Sequence, residues 1–304
     1  MLINFFMKMA VNWNLRKAHS VTAVLFRLAL VLALLSTSGC AWLGNYQRQL
    51  IYRPTAGVPA DFSGLRAGDE RYWVSVPDTD TPQHVAIWWL PHASTDAPTL
   101  LYLHGTFRNL FGNLRKIEAL RSAGFSVLAV DYRGWGESSV VTPSEQSITA
   151  DAQLAWTELT KRQPNASKRV IYGHSMGSGA ALDLASRLKN PTDYGGLILE
   201  SAFTSFTDIA NSAGWLASLV NLFNSERFDS INKISQVQTP LLMLHGSQDN
   251  TIPVNLGERL FAAANPPKQW LAIENAKHSD LDLADPALYR ATLQAFAASY
   301  LSGQ

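Results

Sequence analysis

Tyr172-Gly173-His174-Ser175-Met176-Gly177-Ser178-Gly179 follows the apolar run Arg169-Val170-Ile171-Tyr172 and precedes a stretch with helical spacing. It contains Gly-x-Ser-x-Gly. A strand, a sharp turn and a helix form the setting that makes a serine hydroxyl usable as a nucleophile. The glycines remove the Cβ atoms that would clash in so tight a turn. The motif nominates Ser175; the plainer alternative is a strand-to-helix turn with no chemistry.

Outward from this motif the pattern alternates. Arg71 to Val76 and Val85 to Leu90 read as strands, with Pro77 and Asp78 at the turn between them. Thr99 to Leu103, Val127 to Val130, Leu197 to Leu199 and Leu241 to Leu244 are short apolar runs, as suits a parallel sheet covered on both faces. Ile148, Ala152, Ala155, Trp156 and Leu159 share one helix face, and Ala181, Leu184, Ala185 and Leu188 share another. Asp285-Pro286 reads as an N-cap and first-turn pair before the stripe Tyr289, Leu293, Phe296, Ala297 and Tyr300. Strand-helix alternation predicts one α/β domain, a doubly wound and mostly parallel sheet, over residues 70–304. One interval, 202–239, contains no apparent strand. Trp215, Leu216, Leu219, Val220, Leu222 and Phe223 cluster within it. They fit either an ordinary helix on the sheet or a small helical cap lining an acyl pocket.

The 304 residues are 47% hydrophobic and 16% charged, enough for a large core and against wholesale disorder. A net charge of +1 offers nothing that would draw nucleic acid. The single cysteine, Cys40, excludes an intrachain disulfide, and a cysteine-based metal site is not expected.

The amino terminus reads as a separate segment. Arg16, Lys17 and Arg27 precede the apolar run Leu28 to Leu35, and Ser36-Thr37-Ser38-Gly39-Cys40 follows. A basic region, a short apolar core and small residues describe a secretory signal peptide over 1–39. The run is too short for a comfortable membrane span. The placement of Cys40 resembles the lipobox of bacterial lipoproteins, although Thr37 stands where Leu is commonest. That resemblance implies a lipid anchor at Cys40, a tether and lead-in over 40–69, and residence in the bacterial cell envelope. Ala41 is not the Asp that retains many such proteins at the inner membrane, so the outer membrane is expected. The plainer alternative is an ordinary membrane anchor with an incidental cysteine. Leu50-Ile51-Tyr52-Arg53-Pro54 in the lead-in looks like a segment that docks on the domain.

Leu103-His104-Gly105, Asp131-Tyr132-Arg133-Gly134-Trp135-Gly136-Glu137-Ser138, Gly173 to Gly177, Glu200 to Ser205, His245 to Asp249 and Lys277-His278 together resemble the α/β-hydrolase superfamily. More narrowly they are similar to ABHD-type lipases and thioesterases and to S33-like serine aminopeptidases. The resemblance spans about Leu50 to Leu301. It implies a Ser, then Asp or Glu, then His order for a catalytic triad.

Of seven histidines only His245 and His278 follow Ser175 and its neighbour His174. His278 lies in a polar loop between a strand over Trp270 to Ile273 and the last helix, and is the expected base. His245 ends an apolar strand and leaves no well-placed acid between it and Ser175 unless Glu200 serves. Asp249, in the loop after Leu241 to Leu244, is the expected acid, with Glu200 in reserve or else a structural carboxylate holding a loop. An Asx-turn or helix cap is the non-catalytic alternative for Asp249. Pro253 beyond it is placed to open the next helix. The oxyanion hole needs two backbone N–H donors, expected from Met176 and from Thr106 in His104-Gly105-Thr106-Phe107-Arg108. Phe107 and Arg108 depart from the small or polar residues many relatives carry here, which bears on pocket shape. His104 reads as a buried turn histidine, and Asp131 and Arg133 as residues holding a nearby loop.

The expected activity is hydrolysis of a small-molecule acyl ester or thioester through an acyl-enzyme, with no cofactor. Peptide or amide hydrolysis is the alternative, and a non-catalytic envelope protein keeping the fold is the rival from another class.

Overall fold

The computed structural model describes residues 42–189, 192–214 and 225–301. Helix α1 covers residues 42–52. By its contacts the chain divides into two units, Met1–Gln47 and Arg48–Gln304. The larger unit is built on one eight-stranded sheet: β1 (Glu70–Val76), β2 (Gln83–Leu90), β3 (Thr99–Leu103), β4 (Ser126–Asp131), β5 (Arg169–His174), β6 (Gly196–Glu200), β7 (Leu241–Gly246) and β8 (Lys268–Ile273). Their spatial order is β1-β2-β4-β3-β5-β6-β7-β8. β2 pairs antiparallel with β1 and with β4, and all other pairs are parallel.

The period-2 geometry of a strand explains the runs of apolar residues. Leu101, Leu103, Ile171, Leu197, Leu199 and Met243 point into one core. Their chain neighbours Leu100, Tyr102, Val170, Ile198, Leu242 and Leu244 point into the other. Both faces are buried, so both alternating sets must be apolar.

Helices α3 (Glu145–Arg162), α4 (Met176–Arg187) and α6 (Val254–Ala263) supply side chains to the first core. Helices α2 (Leu110–Ser122) and α8 (Pro286–Tyr300) supply the second. The Asp285 side chain caps α8, with Pro286 in its first turn, as the sequence predicts. Pro253 occupies the cap position of α6 and not its first turn. Helices α5 (Phe206–Ser212) and α7 (Leu281–Ala284) are short, two turns or fewer.

Helix α2 has no counterpart in the sequence reading. Leu110, Ile117 and Leu120 are buried, but so are Asn113 and Lys116 on the same face. Two polar residues turned inward break the apolar periodicity that reveals a helix.

The lead-in packs against the domain from Tyr52 onward. Tyr52 is fully buried and its hydroxyl bonds to Glu226. Ala56 bridges to Gly136, and Asn109 donates to the carbonyls of Thr55 and Gly57. The described residues of the interval 202–239 carry α5 and a short 3-10 helix at Ile234–Gln236, with Phe228 buried. Its apolar cluster at 215–223 lies outside the described residues, as do Cys40 and the signal-like segment.

Candidate active site

The chain steps from β4 across β3 to β5, so the strand order reverses between β3 and β5. Ligands of open α/β sheets bind at such a switch point, beyond the carboxyl ends of the strands. Ser175 immediately follows β5 there, with φ 55° and ψ −127°. That left-handed, non-helical conformation is costly for a serine and is imposed by its surroundings. The Ser175 N–H donates to the Glu200 carbonyl at 2.9 Å. Ser178 donates twice to the Ser175 carbonyl, from its amide at 2.8 Å and its hydroxyl at 2.6 Å. A Cβ at Gly173 would sit 2.6 Å from Ser178 Cα, and one at Gly177 would sit 2.6 Å from the His104 carbonyl oxygen. Only glycine lets α4 enter this close to β5 and β3.

The loops after β7 and β8 bring two more side chains to the same rim. His278 Nε2 lies 2.8 Å from Ser175 Oγ, and its Nδ1 lies 2.8 Å from Asp249 Oδ2. Ser175 and Asp249 are 7% exposed each, so the chain of bonds is largely shielded from water yet open at the serine. Burial alone would raise the Asp249 carboxyl. Hydrogen bonds from His245, His278 and the Ile252 amide outweigh it and hold the group well below the usual carboxylate range. Asp249 is thus an anion positioned to orient the imidazole. Its other oxygen also accepts from the Thr251 and Ile252 amides, at 2.8 Å each, which is the Asx-type turn considered from sequence. The same carboxylate builds its loop and faces His278.

The backbone of His278 is fixed from below. Its carbonyl accepts from His174 Nε2 and Ser201 Oγ, both at 3.1 Å. Burial pushes His174 down to about 3, so the ring is neutral and donates through Nε2.

Thr106 lies in the loop after β3 and lines the cleft with Ser175 and His278. Met176 is the first residue of α4, where an amide has no intrahelical acceptor. The loop is braced by the lead-in, for Thr55 Oγ1 donates to the Phe107 carbonyl at 2.9 Å. His104 is fully buried, with Nε2 3.3 Å from Asp131 Oδ1. Asp131 also accepts the Leu110 amide at 2.9 Å and so holds the start of α2. Arg133 pairs with Asp151.

Glu200 is placed elsewhere than the reserve role would need. It is fully buried and accepts from Lys116, Tyr172 and Tyr289. Its approach to a histidine is to His174, at 3.9 Å, and the acid on His278 is Asp249. Burial would raise Glu200, but the Lys116 cation and the Tyr172 hydroxyl hold it low. The network of Lys116, Tyr172, Tyr289 and Asp282 is absent from the sequence reading. One signal was available: Lys116 shares a helix face with Ile117 and Leu120, and a buried lysine demands buried acids.

The serine aminopeptidase S33 family matches residues 97–231. An uncharacterized protein of Mycobacterium tuberculosis is 33% identical over 259 residues, covering 84% of this chain and 88% of that one. The lysophosphatidylserine lipase ABHD12 of Xenopus tropicalis is 32% identical over 224 residues, 67% of this chain but only 57% of the lipase's length. Among solved structures, an esterase of Pyrococcus furiosus superposes with a TM-score of 0.66 at 20% identity, covering 82% of this chain and 97% of the esterase. With its eight-stranded, mostly parallel sheet and these relatives, the chain belongs to the α/β-hydrolase superfamily and is a hydrolase.

Proposed function

We propose that this hydrolase cleaves carboxylic esters or thioesters through an acyl-enzyme on Ser175. The observation that carries the reading is the unbroken hydrogen-bond chain from Ser175 Oγ through His278 to Asp249, 2.8 Å at each link. Ser175 Oγ attacks the acyl carbonyl while His278 Nε2 takes its proton. Asp249 holds the Nδ1–H tautomer and stabilises the imidazolium that forms. The Thr106 and Met176 N–H groups bind the oxyanion. His278 returns the proton to the departing alcohol or thiol. It then activates the water that releases the acid. A lipase and an esterase among the relatives favour ester chemistry. Peptide or amide hydrolysis is the second reading, favoured by the S33 match over residues 97–231.

The experiment is covalent labelling with a fluorophosphonate, followed by hydrolysis of short p-nitrophenyl acyl esters and aminoacyl amides. Wild type should label at Ser175 and turn over the esters faster. Ser175→Ala should do neither while keeping its melting temperature. Retained esterase activity in that variant rejects the assignment; faster amide turnover selects the second reading.

The lipid anchor at Cys40 and the outer-membrane location are part of the same proposal, supported by the basic, apolar and small-residue order of residues 16–40. Two acyl chains or more hold a protein to a bilayer far more firmly than one. Mass spectrometry of the mature amino terminus tests it: an unmodified Cys40, or cleavage elsewhere, removes the anchor.

A further inference from the structure

Three cations line the cleft that holds Ser175 and His278: Arg108, Arg115 and Lys116. Two of them are already matched. Arg115 bonds to the Asp282 carboxylate and, at 3.0 Å, to the Ser279 carbonyl. Lys116 bonds to Glu200 and, at 3.2 Å, to Asp282. Two buried carboxylates thus balance two cations. Arg108 has no carboxylate partner among the described residues, and its side chain is exposed to solvent. Arg108 therefore presents to the cleft a permanent positive charge that no paired carboxylate neutralises.

That charge sits on a held loop. Phe107 adopts φ 71°, its carbonyl is bound by Thr55, and its ring lies 5.1 Å from the Arg53 guanidinium. The Arg108 stem rests over Gly112, where a Cβ would lie 3.2 Å from Arg108 Cβ. A guanidinium offers a planar fork of donors that fits phosphate or carboxylate oxygens.

We propose that Arg108 selects acyl substrates bearing an anionic group, phosphate or carboxylate, a few bonds from the scissile carbonyl. The proposal rests on the ester hydrolysis assigned above. Arg108 acts on substrate choice and takes no part in bond making.

The test uses three soluble esters with one acyl chain: 1-butyrylglycerol, its 3-phosphate, and O-butyryl glycerate. For wild type, kcat/KM should be higher for at least one charged ester than for the neutral one. Arg108→Gln should lower that charged-to-neutral ratio on the order of tenfold or more, chiefly through KM. Arg108→Lys should keep part of it. Salt at about 0.5 M should shrink the wild-type ratio, since an exposed charge is screened. A ratio that falls only for the phosphate, or only for the carboxylate, identifies the anion. A wild-type ratio at or below one, or a ratio that survives Arg108→Gln, overturns the proposal and leaves the hydrolase reading intact. Turnover of the neutral ester that survives Ser175→Ala overturns the hydrolase reading instead. No turnover of any of the three by folded wild type overturns both.

Discussion

His245 Nε2 lies 3.4 Å from Asp249 Oδ2, the same oxygen that receives His278 Nδ1 at 2.8 Å. His245 also reaches the Ile252 carbonyl, at 3.0 Å, so it ties the acid loop to the end of β7. The two histidines that follow Ser175 and His174 in sequence thus flank one carboxylate, but only His278 touches the serine. Asp249→Asn should lower kcat about ten-thousandfold, because the amide favours the wrong imidazole tautomer. His245→Asn should cost less than about tenfold, since it acts only through the carboxylate. Steady-state kinetics on one p-nitrophenyl ester compares them; equal losses would make His245 part of the proton path.

Glu200 separates structure from chemistry in the same way. Glu200→Gln leaves Lys116 short of a buried partner and should cost about 3–5 kcal/mol of stability. Activity per folded molecule should stay within about tenfold of wild type. Adding Lys116→Met should restore much of the stability, because an apolar replacement removes the unpaired charge. Urea unfolding with parallel kinetics decides it. A stable Glu200→Gln variant with ruined kcat would return Glu200 to the reaction.

Acid should weaken the fold through His174 before it reaches the carboxylates. The ring is held near 3 in the folded protein, against an ordinary value of 6.5. As pH falls below 6.5, the unfolded chain binds a proton that the folded chain refuses. The stability this contributes is present above pH 6.5 and is lost progressively toward pH 3, by up to about 1.4 kcal/mol per pH unit. Glu200 and Asp249 are both held low, so their contributions persist above their ordinary values of 4.5 and 3.8 and fade below them. His174→Gln, which keeps a donor for the His278 carbonyl, should flatten the stability curve between pH 6.5 and 4.5. Denaturant midpoints across that range would show it; an unchanged slope would mean the ring does not carry it.

Glycine replacement should divide sharply by place. Gly177→Ala puts a methyl group into the Leu103 and His104 carbonyls and should cost more than about 3 kcal/mol or prevent folding. Gly124→Ala meets no atom within 4 Å and suffers only from its φ of 104°, for about 1–2 kcal/mol. Melting temperatures of the purified variants rank them. Comparable losses would show that the elbow tolerates side chains.

The local pattern of residues was enough to determine the strands, their burial on both faces and the strand-turn-helix around Ser175. Those features depend on neighbours within a few positions: apolar runs, a glycine pair, an Asp-Pro cap. Sequence order also singled out Asp249 and His278. It could not say that Glu200 lies under the site with Lys116, or that His174 and Ser201 clamp the His278 carbonyl. It missed α2, because Asn113 and Lys116 turn inward and disguise the apolar face. Only the tertiary structure matched Arg115 and Lys116 to their acids and left Arg108 over. The reason is physical: a charge is compensated by distance in space, and those partners stand 84 to 167 residues apart along the chain.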